Sequence, residues 1–216
     1  VGGTVYEIPR HGVARTSRFT LVAAEKAHCT WRLDASDATR RHYPFDFRLD
    51  MAFALTGTTL AMTATVSNRG GTPMPFSFGY HPAFAWPLPF GGKAEDHRIF
   101  FERDEPAPTR RLDPATGLVI PAPQPSPVDG KVYAPAHADF EADALIWDEL
   151  QSRSLIYGVP GRPRLRIDFP DAPMLGIWQK PGARFLCIEP WAGIADPLGF
   201  TGDFADKPGV MTLAPG

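Results

Sequence analysis

Apolar and polar side chains alternate along most of this chain, which is the pattern of half-buried β-strands. The clearest case is residues 59–67, where every second residue from Leu60 to Val66 is apolar and threonines dominate between them. Because helical periodicity is almost absent, the pattern predicts an all-β fold, either a sandwich or a barrel. The predicted strands are residues 4–8, 19–23, 29–33, 45–55, 59–67, 98–102, 154–159, 165–169, 174–178, 185–189 and 210–213.

Residues 74–84 predict a further strand, which carries a candidate functional group. Successive side chains of a strand point to opposite faces, so the aromatic residues share one face and small residues share the other. His81 stands at the end of the small face, and Pro82 favours extended backbone before it, which fixes the direction of the imidazole. A titratable ring in that setting has room for a ligand. The aromatic face carries Phe76, Phe78 and Tyr80, and the small face carries Ser77, Gly79 and His81.

A second stretch, residues 185–191, has the same pattern and ends in a carboxylate. Leu186 and Ile188 share one face, while Phe185, Cys187 and Glu189 share the other. The proline after Glu189 holds this residue extended and is expected to end the strand, because proline has no backbone donor. An ordinary Glu is ionised at neutral pH and an ordinary His is near its midpoint, so the two could act as base and acid. The alternative is that they are unrelated polar residues at strand ends.

Length and charge limit the classes of function. The chain has 216 residues, which fits one domain over residues 1–216. With a net charge of −2 and dispersed basic residues, nucleic acid or an anionic membrane is not expected as a partner. No apolar run approaches the ~20 residues of a membrane span, and no leader is recognisable. Because the chain starts at Val1, we expect that upstream sequence has been lost.

The two cysteines, Cys29 and Cys187, both lie in apolar strand-like runs. This favours reduced buried thiols in a cytoplasmic protein, and a single disulfide is the alternative. No Gly-rich phosphate loop, metal-ligand spacing or nucleophile elbow appears, so no cofactor and no metal are predicted. The proline-rich residues 86–135 are interpreted as long loops, with a flexible linker between two domains as the alternative.

Five short motifs follow one another in an order that points to a family. Together they resemble the aldose 1-epimerase (galactose mutarotase-like) family, most closely its bacterial branch, and the resemblance spans residues 5–213. Each motif alone is weak, but five in the same order are specific. The motifs are RHGVAR at residues 10–15, YPFDF at 43–47, PFSFGYHPAF at 75–84, DALI at 143–146 and CIEPW at 187–191.

The resemblance implies a β-supersandwich with an open concave face that holds a monosaccharide, and no cofactor. It implies that His81 is the general acid and Glu189 the general base, and that His11, Arg15 and Asp143 contact sugar hydroxyls. Two departures from the family are visible. The family's N-terminal strands, often with a substrate-contacting arginine, are expected to be missing here, and a tyrosine replaces the glycine that usually precedes the catalytic histidine.

Several readings of the function remain open at this point. The first is an epimerase of a hexose or a hexose 6-phosphate, with Arg15 and a neighbouring arginine as the phosphate clamp. The second is a sugar-binding or regulatory module that has the fold without turnover. The third is a glycosidase in which Asp143 would be the partner of Glu189. Among the aromatic residues, Trp178 is the best candidate to cover the apolar face of a sugar.

Overall fold

The computed structural model describes Val1 and residues 3–216, and its regular structure is almost entirely β. One four-residue helix, α1 (Asp37–Arg40), and four 3-10 turns (Ala14–Thr16, Ala94–Asp96, His137–Phe140 and Phe204–Asp206) complete it. The strands are β1 (Thr20–Ala24), β2 (His28–Asp34), β3 (Phe47–Thr56), β4 (Thr59–Asn68), β5 (Met74–Phe76), β6 (Phe78–Gly79), β7 (Ala83–Ala85), β8 (Arg98–Phe101), β9 (Val132–Tyr133), β10 (Leu145–Trp147), β11 (Ser154–Gly158), β12 (Leu165–Asp168), β13 (Met174–Trp178), β14 (Phe185–Ala192) and β15 (Met211–Leu213).

The chain divides into two compact units. The first comprises Val1–Phe76, Asp203–Ala205 and Thr212–Gly216, and the second comprises Ser77–Gly202 and Asp206–Met211. The proline-rich residues 86–135 lie inside the second unit, where they contribute β8 and β9. No helix in the described part of the chain is long and apolar enough to cross a membrane.

The first unit is built on an antiparallel sheet in the order β1-β2-β3-β4. Strands β3 and β4 form a hairpin with a two-residue loop, and Gly57 supplies the positive φ (57°) that such a loop requires. Alternation sorts the two faces, because Phe53 stands opposite Met62 on the apolar face. On the polar face Arg32 pairs with Asp50 at 2.7 Å across β2 and β3.

The second unit contains two sheets that share one core. The first has the order β10-β13-β14-β6, with β7 also on β14, and the second has the order β12-β11-β8-β9. The core takes alternate residues from both, which is the usual way for two sheets to pack face to face. Its buried strand residues are Ile99, Phe101, Tyr133, Leu145, Trp147, Leu155, Tyr157, Leu175, Ile177, Leu186 and Ile188. Leu186 and Ile188, which were predicted to share one face of this strand, both lie in the core.

Three local predictions are wrong. Residues 4–8 form no strand, and Val5 there is 95% exposed, so the local alternation is not matched by a surface that buries it. The single strand expected over residues 74–84 is three short strands, β5, β6 and β7. The strand that was expected to end at Pro190 continues to Ala192, because the carbonyl of Pro190 still accepts a bond, from the Tyr80 N–H at 3.0 Å.

Candidate functional site

The strand register places His81 directly opposite Glu189. Strand β14 pairs with β6 through Trp191 and Gly79, and with β7 through Cys187 and Ala83. On the β6–β7 side, His81 lies midway between Gly79 and Ala83. On β14, Glu189 lies midway between Cys187 and Trp191, so the two residues are opposite each other. The interruption between β6 and β7 therefore lies at the candidate pair.

Two prolines explain this interruption. In an antiparallel ladder, residues of a hydrogen-bonded pair exchange two backbone bonds, and the pairs between them exchange none. The Tyr80 N–H donates to the Pro190 carbonyl at 3.0 Å, and the Ile188 N–H donates to the Pro82 carbonyl at 3.3 Å. Neither proline can return a bond, because it has no N–H. His81 and Glu189 lie between these two pairs, each of which has one hydrogen bond instead of two. They form a non-hydrogen-bonded pair, the type in which cross-strand side chains approach most closely.

The two side chains meet at the surface of the second unit. The Nδ1 atom of His81 lies 3.5 Å from the Oε1 atom of Glu189. The Glu189 side chain is 4% exposed, whereas the His81 side chain is 41% exposed. A buried carboxylate thus lies behind an imidazole that a ligand can reach.

Burial changes the protonation of Glu189. Desolvation raises the pKa of this carboxyl from the ordinary value of 4.5 to about 8, and the negative charge of Asp143 adds to the rise. A hydrogen bond from the Trp191 side chain acts in the opposite direction, because it stabilises the carboxylate. Burial therefore moves Glu189 away from the full ionisation that an ordinary Glu has at neutral pH.

Trp191 lies over glycines on both neighbouring strands. A Cβ atom on Gly79 of β6 would collide with the near edge of the indole, and one on Gly176 of β13 would collide with its far edge. The ring therefore needs a surface without side chains on either side of β14. This packing holds the indole beside Glu189, with which it shares a hydrogen bond.

Trp178 and Cys187 complete the immediate surroundings. The Trp178 ring meets His81 edge to face, with centroids 6.1 Å apart and planes at 88°. Cys187 is the cross-strand partner of Trp178 and is a free, buried thiol. Burial, together with the nearby charge of Glu189, raises the pKa of Cys187 to about 12. Trp178, the predicted aromatic contact of a sugar, thus lies beside His81.

Asp143 belongs to the same unit and is held in an unusual backbone conformation. Its φ is 66°, a region in which Asp and Asn are enriched among non-glycine residues. Its side chain accepts a hydrogen bond from the Ala144 N–H at 2.7 Å, and Arg111 donates to its carbonyl at 3.2 Å. Asp143 is half-buried and close enough for its charge to act on Glu189.

His11 and Arg15 belong to the first unit. His11 has φ 69° and is exposed, and Arg15 lies in the 3-10 turn Ala14–Thr16 and is also exposed. Their contact with a sugar stays a prediction. The structure brings together His81, Glu189, Trp178 and Asp143 in the second unit.

Two neighbours of the pair, Cys187 and Trp191, were not predicted to lie beside Glu189, although part of the signal is present in the sequence. Cys187, Glu189 and Trp191 occupy alternate positions of one strand and therefore share a face. What the sequence does not show is that Gly176 and Gly79 make room for the indole, because register between distant strands is not a local property.

Comparison with known proteins identifies relatives of this chain. The chain is 30% identical over 212 residues to Protein LacX of Lactococcus lactis subsp. lactis, in an alignment that covers 96% of this chain and 71% of LacX.

Two solved structures are similar throughout this chain. A galactose mutarotase-like protein from Lactobacillus casei superposes with a TM-score of 0.88 and 25% identity, covering 100% of this chain and 75% of that protein. A galactose mutarotase related enzyme from Lactobacillus acidophilus superposes with a TM-score of 0.85 and 29% identity, covering 99% and 72%. The predicted all-β, galactose mutarotase-like fold is thereby confirmed. The family model of aldose 1-epimerase matches residues 2–199. The chain therefore belongs to the aldose 1-epimerase family, a family of sugar epimerases.

Proposed function

We propose that this protein interconverts the α and β anomers of a hexose, with Glu189 as the general base and His81 as the general acid. The observation that carries the proposal is the pair itself, a buried carboxylate oxygen 3.5 Å from an exposed imidazole nitrogen at one position of the sheet. Family membership supplies the reaction class.

The reaction requires two proton transfers at neighbouring oxygens. Glu189 takes the proton of the C1 hydroxyl while His81 delivers a proton to the ring oxygen, and the C1–O5 bond breaks to give the open-chain aldehyde. Rotation about C1–C2 presents the other face of the aldehyde. Ring closure returns the proton from O5 to His81 and the proton on Glu189 to the new C1 hydroxyl, so neither group is consumed.

The raised pKa of Glu189 suits a general base. A base is most effective when its pKa lies near the working pH, because a stronger base removes the proton more readily and is still partly ionised. Burial, which moves this pKa from 4.5 to about 8, strengthens the base and reduces its ionised fraction at neutral pH. A protonated His81 at 3.5 Å favours the carboxylate form, so the two groups support each other's working state.

Sugar binding is assigned to groups of different chemistry. Trp178, already in contact with His81, offers an aromatic surface to the apolar face of a hexose. Asp143 supplies an acceptor for hydroxyls, and His11 and Arg15 are proposed to supply further polar contacts. A 6-phosphate would find its cation in Arg15 with Arg10 or Arg18.

Polarimetry of freshly dissolved α-glucose, α-galactose and glucose 6-phosphate tests the proposal. Glu189→Gln and His81→Asn are each expected to lower the rate of anomer exchange about 10²–10⁴-fold, the usual value of a positioned proton-transfer group. Matched controls are Glu149→Gln, at an exposed position, and His28→Asn, in the first unit, which should leave the rate unchanged. Wild-type rates equal to those of buffer, with sugar binding retained, would instead identify a non-catalytic sugar-binding module.

The pH dependence offers a second test. The base must be ionised and the acid protonated. Because burial raises the pKa of Glu189 to about 8, its ionised fraction rises about tenfold between pH 6 and pH 7, and kcat/KM should rise with it, by less than tenfold because the protonated fraction of the acid falls over the same range. Stopped-flow polarimetry across this range gives the slope. A rate that is flat over the same range contradicts the assignment of Glu189 as base.

The two cysteines support a reducing, cytoplasmic location as part of the proposal. Both Cys29 and Cys187 are free thiols, and Cys187 is buried. Free thiols persist in compartments where the glutathione and thioredoxin systems operate.

A further inference from the structure

Three potential metal ligands converge at the candidate pair. One ligand atom each from His81, Cys187 and Glu189 lie within 4.8 Å of one another. Cys187 and Glu189 are two residues apart on β14 and so share a face, and the register brings His81 opposite Glu189. No metal was expected from the sequence, because two of these residues are more than a hundred positions from the third.

We propose that these three side chains form a binding site for a thiophilic divalent cation of the Zn²⁺ class, and that the bound cation blocks sugar turnover. The site itself does not depend on the protein being an enzyme. Only the inhibition rests on the proposed function.

The spacing suits a tetrahedral ion after a small adjustment. Zinc bonds to nitrogen, oxygen and sulfur of about 2.0–2.3 Å imply ligand atoms about 3.3–3.8 Å apart. The His81 and Glu189 atoms are already 3.5 Å apart, and the thiol lies within 4.8 Å of both. His81 is the exposed member, at 41%, so its ring can turn toward Cys187 without disturbing the core.

Ligand chemistry selects the cation. A thiolate, an imidazole and a single carboxylate favour Zn²⁺ and Co²⁺, whereas Mg²⁺ and Ca²⁺ prefer sites made only of oxygen atoms. Cys187 and Glu189 are both buried, at 2% and 3% exposure, and a dication would neutralise the two anions that binding creates. The thiol proton, and the carboxyl proton where it is present, leave to solvent. The Trp191 hydrogen bond to Glu189 supplies an outer contact that orients this ligand.

Coordination by these residues would stop the proposed chemistry directly. A carboxylate bound to a cation cannot take a proton from C1–OH, and an imidazole bound through Nδ1 is fixed away from its working position. Three protein ligands leave the fourth position of the ion open on the exposed side, where His81 lies. The sugar and the cation therefore compete for one place.

Cobalt titration of the metal-free protein tests the site without any sugar. Wild type should bind one Co²⁺ with a near-ultraviolet thiolate-to-cobalt charge-transfer band, which Zn²⁺ removes and Mg²⁺ leaves unchanged. Cys187→Ser should abolish the band, and the matched variant Cys29→Ser, in the first unit, should keep it. His81→Asn should weaken Co²⁺ binding about 100-fold or more, since even changes to outer contacts cost about 10–100-fold.

Each result decides the proposal. A wild-type protein without the band, a band lost in Cys29→Ser rather than Cys187→Ser, or unchanged cobalt affinity in His81→Asn would overturn it. The His81 variant also decides the matter if Cys187→Ser does not fold, because His81 is exposed. A cobalt band in a protein that does not equilibrate anomers would refute the proposed function alone. Rapid, zinc-insensitive turnover without a band would refute the metal site alone.

Discussion

Two glutamates are almost completely buried in the second unit, and they are buried in opposite ways. Glu105 is 1% exposed and Glu189 is 3% exposed. Both oxygens of Glu105 accept backbone hydrogen bonds, from the Gln151 N–H at 3.0 Å and from the Ser152 N–H at 2.7 Å. Glu189 faces side chains instead, with an imidazole 3.5 Å away and a thiol on the same strand face.

The difference separates a carboxylate held by backbone donors from one whose neighbours are side chains. Backbone donors are fixed by the fold, so they compensate a buried charge permanently and make the Glu105 carboxylate a cross-link between loops. The surroundings of Glu189 are apolar or titratable, and they raise its pKa to about 8. A perturbed carboxyl at an accessible surface is the kind of group that active sites contain. Burial alone therefore does not distinguish the two, whereas the identity of the partners does.

The largest expected effect comes from removing the structural carboxylate. Glu105→Ala leaves the N–H groups of Gln151 and Ser152 without acceptors, the first in a part-buried and the second in a buried position. At about 1–3 kcal/mol for each, the free energy of unfolding should fall by about 2–6 kcal/mol. Urea denaturation followed by tryptophan fluorescence measures it. The exposed Glu149→Ala is the control and should change stability by less than about 0.5 kcal/mol. A loss as small as that of the control would show that Glu105 and Glu189 are not different in kind.

Next in size is the pH dependence of stability at Glu189. The unfolded chain releases this proton near pH 4.5 and the folded protein near pH 8, so the stabilising contribution is complete below about pH 4.5 and is lost as pH rises to about 8. Glu189→Gln cannot titrate. Its stability relative to wild type should therefore increase by a few kcal/mol between pH 5 and pH 8. Parallel thermal denaturation at the two pH values measures the difference, and a constant difference contradicts the raised pKa.

The smallest effect should come from the indole. Trp191→Phe keeps a planar ring over Gly79 and Gly176 but removes the hydrogen bond that stabilises the Glu189 carboxylate. The pKa of Glu189 should rise further, moving the midpoint of the pH–rate profile upward by about one unit. Trp178→Phe is the control, because that ring contacts His81 and not the carboxylate, and it should change KM with the midpoint unmoved. The same midpoint in wild type, Trp191→Phe and Trp178→Phe would show that Trp191 does not affect the pKa of Glu189.

Local pattern was enough to locate most of the strands near the site. Residues 174–178 are predicted as a strand and form β13 over the same residues, because a short apolar run bounded by prolines and turn residues is typical of a strand buried on both faces. That Leu186 and Ile188 share one face of β14 was also predictable, since alternate residues of a strand lie on the same face. The strand pattern and the flanking prolines single out His81 and Glu189, the resemblance to the family implies their roles, and the structure brings them to 3.5 Å.

The features that could not be predicted from the sequence depend on contacts between strands that are far apart in the chain. The effect of Pro190 was misjudged because its carbonyl finds a partner in Tyr80, more than a hundred residues earlier. The protonation of Glu189 depends on how completely β13, β6 and β7 enclose it, which no local window contains. The same holds for the approach of Cys187 to His81. Local sequence determines which side chains share a face, and register determines which of them meet.

The paired prolines have a consequence for how the histidine is attached. Pro82 and Pro190 each remove one backbone hydrogen bond from the pairs that flank His81. In each of these two pairs, one hydrogen bond remains between the segment that carries His81 and strand β14. A strand pair with fewer backbone hydrogen bonds bends more easily than a fully bonded one. In the proposed mechanism, His81 could thus shift with a sugar ring that opens and recloses, while Glu189 is held in the continuous strand β14.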